Sequence, residues 1–344
     1  MKKILVTGGA GYIGSHTVAE LVSSGFMPVI VDDFSNSDAR VLDGLREILG
    51  YDVPLYKLDC SDSGLLREVF IKEKPAGVIH FAAFKAVGES VADPMRYYSN
   101  NLGSLMSLIE VMHEFGCNTL VFSSSCTVYG QPESNPVTES TPRLPANSPY
   151  GRTKQMCEDI IMDYCVSNPS FRATLLRYFN PIGAHPSGLI GELPYGVPNN
   201  LVPFLTQAAA GIREKLVVFG NDYATPDGSC IRDYIHVMDL AAAHVSALKY
   251  ITNIAPGCSV FNLGQGKGNS VLELIRTFTE VTGVMVPYEM GARRPGDVEQ
   301  IWADASKSSA LLNWSAKRTL ADALRDAWRW QNALSTERFC VKSK

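Results

Sequence analysis

The sequence has no long apolar run. No uninterrupted hydrophobic stretch approaches the roughly 18 residues that a membrane-spanning helix needs, and the chain starts on a strand pattern at Lys3 instead of an apolar leader core. Neither a membrane anchor nor a targeting segment is expected. There is also no excess of one charge. Thirty-one Lys and Arg stand against 35 Asp and Glu, the formal net charge is −4, and the two signs are interspersed. This excludes the basic face that a nucleic acid or an anionic membrane would require. Eight cysteines, at 60, 117, 126, 157, 165, 230, 258 and 340, form no C-x-x-C pair and no zinc spacing, and the six histidines do not cluster. A disulfide scaffold and a metal site are both disfavoured, and the expectation is reduced thiols in a cytoplasmic protein. Low-complexity tracts and internal repeats are missing as well.

What is present is a regular alternation. The 344 residues are 46% hydrophobic, enough for one large domain or two. Short apolar runs at 4–7, 28–32, 55–58, 77–81, 119–123 and 173–177 read as strands, and helical spacing fills 12–24, 62–73 and 94–115 between them. Repeated strand–helix units of this kind predict a parallel sheet covered by helices on both faces. Beyond residue 180 the pattern breaks into Pro- and Gly-rich loops, with helices expected at 201–210, 239–250, 271–281 and 320–333. The expectation is a first domain over 1–180 and a smaller mixed α/β lobe over 181–344. The boundary is soft, because 173–178 and 259–263 can cross between the two.

The first strand runs directly into Thr7-Gly8-Gly9-Ala10-Gly11-Tyr12-Ile13-Gly14, which opens a helix. Glycines at 8, 11 and 14 allow a tight turn, close approach of backbone to a pyrophosphate, and tight packing of helix on sheet. The helix N-terminus then offers free N–H donors to phosphate. The spacing is G-x-x-G-x-x-G, not the usual G-x-G-x-x-G, but the strand–turn–helix context is the one the motif requires. Eighteen residues past Gly14, Asp32 ends the second strand, where a carboxylate holds an adenosine ribose and repels a 2′-phosphate. NAD is therefore expected over NADP. Asp33 reads equally well as the start of a turn, and Asp59, after the third strand, is placed to reach the adenine. The fold class is a Rossmann-type doubly wound parallel sheet.

A second local pattern lies at Ser148-Pro149-Tyr150-Gly151-Arg152-Thr153-Lys154. Ser148 is a good N-cap and Pro149 suits the first helical position. Tyr150 and Lys154 then share one helix face. An ammonium beside a phenol favours the phenolate, so the pair predicts a tyrosine that takes a proton near neutral pH. The same pair also occurs on many ordinary amphipathic helices.

The motifs GGAGYIG, Asp32, Phe81-Ala82-Ala83, Asn100-Asn101, Ser123-Ser124-Ser125 and Tyr150-x-x-x-Lys154 follow the order found in extended short-chain dehydrogenase/reductases. Within them the chain resembles the UDP-glucose 4-epimerase family. The closer resemblance rests on HFAAFKAVGES at 80–90, LRYFNPIGAHPSG at 176–188, GNDYATPDG at 220–228, RDYIHVMDL at 232–240 and WADASK at 302–307. It extends from residue 2 to about 333.

The resemblance implies interconversion of UDP-galactose and UDP-glucose. The sugar would be oxidised at C4 with NAD, the 4-keto sugar would turn over while bound, and it would then be reduced on its other face. It assigns Tyr150 as the base, Ser125 as its partner on the substrate oxygen, and Lys154 as the group that keeps Tyr150 ionised. NAD would be held by Gly8, Gly11, Tyr12, Ile13, Gly14, Asp32, Asp33, Asn36, Ser37, Asp59 and Cys60. Phe81, Ala82, Ala83, Lys85, Asn100, Ser125, Tyr150, Lys154, Tyr178 and Phe179 would complete that set. For the substrate it implies Phe219 against the uracil, Arg232 and Arg294 on the diphosphate, and Asp297 on the uridine ribose. Asn180, Asn200 and Leu201 would line the sugar and phosphate channel, with Lys85, Ser125, Tyr150 and Tyr178 near the sugar. A cytoplasmic homodimer built through 94–115 and 149–168 is implied too.

Ile301 departs from the family pattern. A bulky tyrosine there is associated with UDP-glucose and UDP-galactose, and a small residue with N-acetylated sugars. Isoleucine is neither, and the expectation is that N-acetylated sugars are not accepted. Three other readings remain: a UDP-N-acetylhexosamine epimerase, a UDP-uronate epimerase, and a non-catalytic NAD sensor. The last is disfavoured by the retained Tyr150 and Lys154. A 4,6-dehydratase needs an acidic pair where this chain has Cys126 and Thr127. His185 and His236 read as structural hydrogen-bonders, Cys126 as inert packing, and Trp328 and Trp330 as core or interface anchors.

Overall fold

The computed structural model describes residues 1–294 and 297–335. The first half alternates strand and helix: β1 (Lys3–Thr7), α1 (Tyr12–Ser23), β2 (Met27–Asp32), α2 (Arg40–Leu49), β3 (Leu55–Lys57) and α3 (Ser63–Glu73). It continues through β4 (Gly77–His80), α4 (Val87–Ala92), α5 (Pro94–Glu114), β5 (Thr119–Ser125), α6 (Pro149–Ser167) and β6 (Arg172–Tyr178). Alternate strand residues point to opposite faces, and each face has its own core. Ile4, Val6, Ile30, Ile79, Val121 and Leu176 pack into one. Leu5, Val29, Val31, Val78, Leu120, Phe122 and Leu175 pack into the other. Burial on both faces is why these strands read as unbroken apolar runs. Helices α1 and α2 cover the first face, and α3, α5 and α6 cover the second.

The second half runs β7 (Asn180–Ile182), α7 (Leu201–Ala209), β8 (Leu216–Phe219), β9 (Ile231–Arg232), β10 (Tyr234–His236) and α8 (Val237–Ile251). Then come β11 (Gly257–Leu263), β12 (Asn269–Ser270), α9 (Val271–Thr282), β13 (Tyr288–Gly291), β14 (Gln300–Ile301), α10 (Ser306–Leu312) and α11 (Leu320–Leu334). Two of these elements join the first layer. Strand β11 pairs in parallel with β6 and completes a seven-stranded sheet of order β11-β6-β5-β4-β1-β2-β3. Helix α8 packs along α1, with Leu240, Ala243 and Leu248 in the first core. The rest makes three small sheets, β10-β7, β12-β9-β14 and β13-β8. A third core, of Val202, Leu205, Leu274, Phe278 and Leu324, joins α7, α9 and α11. Capping boxes at Ser270/Glu273 and Thr319/Asp322 start α9 and α11, satisfying N–H groups that the helix leaves free.

Helices α2 and α4 and the small strands were not expected from the sequence pattern. Helix α4 has six residues, under two turns, too short for a helical period to show. The strands of two to four residues owe their form to pairing with distant chain. Among the described residues no helix is long and apolar enough to cross a membrane, and no group of three or more His, Cys, Asp or Glu is placed to hold a metal.

Candidate active site

The strand order reverses between β1 and β4, where a parallel sheet opens a crevice at its carboxyl ends. Read along the sheet, those ends carry Tyr178 (β6), Ser125 (β5), Phe81 after β4, the glycine turn after β1, and Asp32 (β2). Gly8 has φ +67°, and a Cβ there would lie 2.9 Å from the Ala82 nitrogen. A Cβ on Gly14 would lie 2.1 Å from the Gly8 oxygen. Side chains are thereby excluded from the floor of the turn, and Tyr12 and Ile13 follow as the first residues of α1.

Asp32 is buried. One carboxylate oxygen accepts from the Ala10 N–H at 2.9 Å, the other from the Phe34 N–H at 3.0 Å and the Ser37 hydroxyl at 2.6 Å. Burial pushes its carboxyl above the usual range, against these three bonds. Asp33, Asn36 and Asp59 are exposed; the carboxylates of Asp33 and Asp59 accept from the backbone of Ser35 and Ser61 in local turns. Cys60 is buried, and its thiol is pushed up by burial. Phe81, Ala82 and Ala83 form a half-buried wall in which Phe81 packs on His244, with ring centroids 4.7 Å apart. His80, behind that wall, bonds Thr7 at 2.7 Å and is held neutral, its pKa lowered to about 3 by burial and by Lys154. Asn100 donates to Asn101 at 2.9 Å. Asn101, which the sequence pattern did not assign a role, accepts from the Phe84 N–H at 2.9 Å and donates to Thr153 at 3.0 Å. It fixes the 81–86 loop to α6.

Ser148 caps α6 by accepting the Gly151 N–H at 3.1 Å, and Pro149 opens the helix. Tyr150 and Lys154 then sit in a buried corner against Ser125. The Ser125 hydroxyl faces the Tyr150 phenol closely enough to favour its ionised form and accepts the Thr127 N–H at 3.2 Å. Lys154 Nζ donates to the Ser123 carbonyl at 2.7 Å and lies 6.0 Å from the Tyr150 ring centroid. Burial pushes Tyr150 upward, with Tyr178 adding to it and Ser125 opposing. Burial also lowers Lys154 to about 8, against Cys157 and Glu158. Desolvation disfavours the ionised form of both groups.

Tyr178 bonds the Ser123 hydroxyl, and burial raises its phenol to about 12. Phe179 is buried and Asn180 is half-buried. The Cys126 thiol is raised to about 12 by burial. His236 accepts the Met238 N–H at 3.0 Å, and His185 the Ser187 N–H at 3.2 Å, both structural contacts.

Across the crevice, Phe219 is 43% exposed at the end of β8. The Arg294 guanidinium lies 5.6 Å over its ring and donates to both oxygens of Asp297, at 2.7 and 3.2 Å. Arg232 stands 3.8 Å from the same carboxylate. Two cations share one anion, which leaves positive charge beside an exposed aromatic face. Guanidinium forks of this kind suit a diphosphate. Ile301 pairs with Arg232 in β14 and is buried with Val128, Tyr129, Phe179 and Ala303. Beneath this strand Asp233 accepts three backbone N–H bonds, from Gln265, Gly266 and Ala303. Burial still raises it to about 6. Leu201 begins α7, and Asn200, just before it, donates to Glu192 at 2.6 Å. Lys85 donates to the same Glu192 oxygen at 3.0 Å. Asp233 falls within the RDYIHVMDL motif but had no role assigned, and no motif marked Glu192. Their partners Gln265, Ala303 and Lys85 lie 32 to 107 residues away, where local spacing reveals nothing.

The side-chain-free turn, the buried acceptor at the end of β2 and the Ser–Tyr–Lys corner fit a dinucleotide. Together with the parallel sheet they define the extended short-chain dehydrogenase/reductase class. The sequence pattern of the family described as GDP-mannose 4,6 dehydratase matches residues 5–327. The UDP-glucose 4-epimerase of Bacillus subtilis (strain 168) is 51% identical over 330 residues, 96% of this chain and 97% of that protein. A solved UDP-glucose 4-epimerase from Bifidobacterium longum, in complex with NAD+ and UDP, is 45% identical with a TM-score of 0.94, covering 96% of this chain and 98% of its own. One from Stenotrophomonas maltophila, with bound NAD and formylated UDP-arabinopyranose, is 44% identical with a TM-score of 0.95, covering 97% and 99%. The chain belongs to the UDP-glucose 4-epimerase family.

Proposed function

We propose that the protein interconverts UDP-galactose and UDP-glucose by inverting carbon 4 of the sugar. The chemistry supplied by bound NAD is reversible acceptance of the carbon-4 hydride. Tyr150 takes the proton of the 4-hydroxyl and returns it, and Ser125 bonds the same oxygen and passes the proton between them. Lys154, anchored on the Ser123 carbonyl, places a positive charge behind the phenol. Phe219, Arg232, Arg294 and Asp297 grip the uridine diphosphate. A nucleotide held firmly leaves the sugar free to present either face to Tyr150 without leaving the site. Asn180, Asn200, Leu201, Tyr178 and Lys85 line the space in which it turns, and Ile301 closes its far wall. In this reading the 1–180 half holds the cofactor and the later half holds the nucleotide sugar.

The observation that carries this reading is the Ser125–Tyr150–Lys154 corner lying between a side-chain-free phosphate turn and an arginine-flanked aromatic. The test is proton NMR of the purified protein with UDP-galactose and no added cofactor. UDP-glucose should appear, reaching one ratio from either sugar. Conversion only after NAD is added would keep the chemistry and discard tight retention. No conversion either way, in folded protein, would sink the reading in favour of a related sugar nucleotide such as a UDP-uronate.

We also propose a cytoplasmic homodimer. It is supported by exposed apolar side chains on neighbouring helices: Met95 and Met106 on α5, Met156 and Val166 on α6. The free thiols of the cysteines among the described residues support a reducing compartment.

A further inference from the structure

The proposed chemistry gives Glu192 no task, yet its carboxylate lies between two side chains placed at the ligand. One oxygen, Oε1, accepts from Lys85 Nζ at 3.0 Å and from Asn200 Nδ2 at 2.6 Å. Lys85 belongs to the 81–86 loop beyond β4, which Asn101 clamps to the α5–α6 side. Asn200 stands at the start of α7, in the second half of the chain. Asparagine is among the best helix N-caps, but this one makes no side-chain cap bond to its own helix. Its amide is turned to Glu192 instead. The Glu192 main chain is fixed from behind, because Trp330 of α11 donates its indole N–H to the Glu192 carbonyl at 2.9 Å. The carboxylate itself is only 12% exposed, while Lys85 is 45% exposed. Lys85 also lies 5.8 Å over the ring of Tyr12, whose hydroxyl donates to the Gly183 carbonyl at 2.7 Å. A continuous set of contacts thus runs from the glycine turn to the mouth of α7, with Glu192 at its centre.

A bare carboxylate facing a crevice for diphosphates would repel its ligand. Paired with Lys85 it does not, and it restricts two otherwise mobile side chains. A lysine and an asparagine at the surface would have to be ordered each time ligand binds; held beforehand, they lose less entropy on binding. We infer that Glu192 is a positioning residue for the nucleotide sugar, holding Lys85 and Asn200 in their binding orientations. The inference rests on the proposed epimerase reading, in which those two side chains face the substrate.

The test uses the holoenzyme and two substitutions. Glu192→Ala removes the shared acceptor, and Glu192→Gln retains a neutral one. For Glu192→Ala, KM for UDP-galactose should rise about tenfold with kcat within about twofold, the signature of lost binding common to ground and transition states. Calorimetric affinity for UDP-glucose should fall by the same factor. Glu192→Gln should recover most of that loss, which a merely steric role would not require. Lys85→Met, approached from the other end, should raise KM at least as much, because it also leaves the Glu192 carboxylate unpaired, and the double variant should show clearly less than the sum of the two effects. An unchanged KM in Glu192→Ala, a Gln variant as impaired as the Ala variant, or additive effects in the double variant would each overturn the positioning role. These outcomes are read against wild-type protein that converts UDP-galactose. Wild-type protein that binds no UDP-sugar and converts none would instead sink the epimerase reading.

Discussion

Tyr150 is buried in a corner whose low polarity disfavours its ionised form, and the nearest ammonium is committed to the Ser123 carbonyl. Tyr150→Phe keeps the ring and removes the acid–base group. Turnover should fall at least about a hundredfold while calorimetric binding of UDP is unchanged; a variant retaining a tenth of wild-type turnover would remove Tyr150 as the main base. The buried histidines carry a different expectation. Burial lowers His16 and His80 to about 3 and His244 to about 4. In the unfolded chain each titrates near 6.5. Between those values the unfolded state binds more protons, so their contribution is fully present above about pH 6.5 and is lost as pH falls toward 3. The urea midpoint should therefore decline steadily from pH 7 to pH 4, with a shallower slope in His244→Gln. A flat midpoint over that interval would contradict neutral burial.

The helix that carries Tyr150 and Lys154 is tied to the sheet by a buried ion pair. Glu158 on α6 accepts from Arg177 on β6 at 2.6 and 2.9 Å and from Ser124 on β5 at 2.6 Å. Arg177 also donates to the Tyr129 hydroxyl at 3.1 Å, which in turn donates to Asn262 of β11 at 2.6 Å. Two strands and α6 meet at this carboxylate, and β11 joins them through Tyr129. Arg177→Met would strand that carboxylate away from solvent, with only Arg143, at 3.4 Å, left as a cation. Loss of one partner of a buried pair costs about 3–5 kcal/mol. Urea denaturation should show a loss of this size; a loss below about 1 kcal/mol would mean that the pair is dispensable. The elements that were legible beforehand have causes that lie within a few residues. The glycine turn, Asp32 at a strand end, the Ser148 cap and the Tyr150/Lys154 spacing are of this kind. Strands β1 to β6 were legible because both of their faces are apolar. Contacts such as Asn101 to Thr153, Asp233 to Ala303 and Glu192 to Lys85 join residues 52 to 107 positions apart, and spacing carries no trace of them. The depth at which Tyr150 is buried was not legible either, since burial is a property of the fold and not of the motif.

At the scale of the molecule, the sheet does more than carry the cofactor turn. Strand β11 and helix α8 come from the second half of the sequence but complete the first layer. The chain crosses between β6 and β7 and again around α8 and β11, so the second half is anchored to the sheet at several points. That arrangement leaves α5 and α6 as the outer surface of the second face, with Met95 at 68%, Met106 at 46%, Met156 at 41% and Val166 at 86% exposure. Apolar side chains gathered on two adjacent long helices are what a helical interface presents before association. Because α6 also carries Tyr150 and Lys154, association through this face would brace the active site from outside. Light scattering on a sizing column should give a mass about twice the 37.5 kDa of the chain. Met106→Glu, which places charge in the centre of the patch, should shift the population toward monomer without unfolding it, as circular dichroism would show. A wild-type mass of one chain at micromolar concentration would sink the dimer, and a Met106→Glu variant that stays dimeric would move the interface to another face.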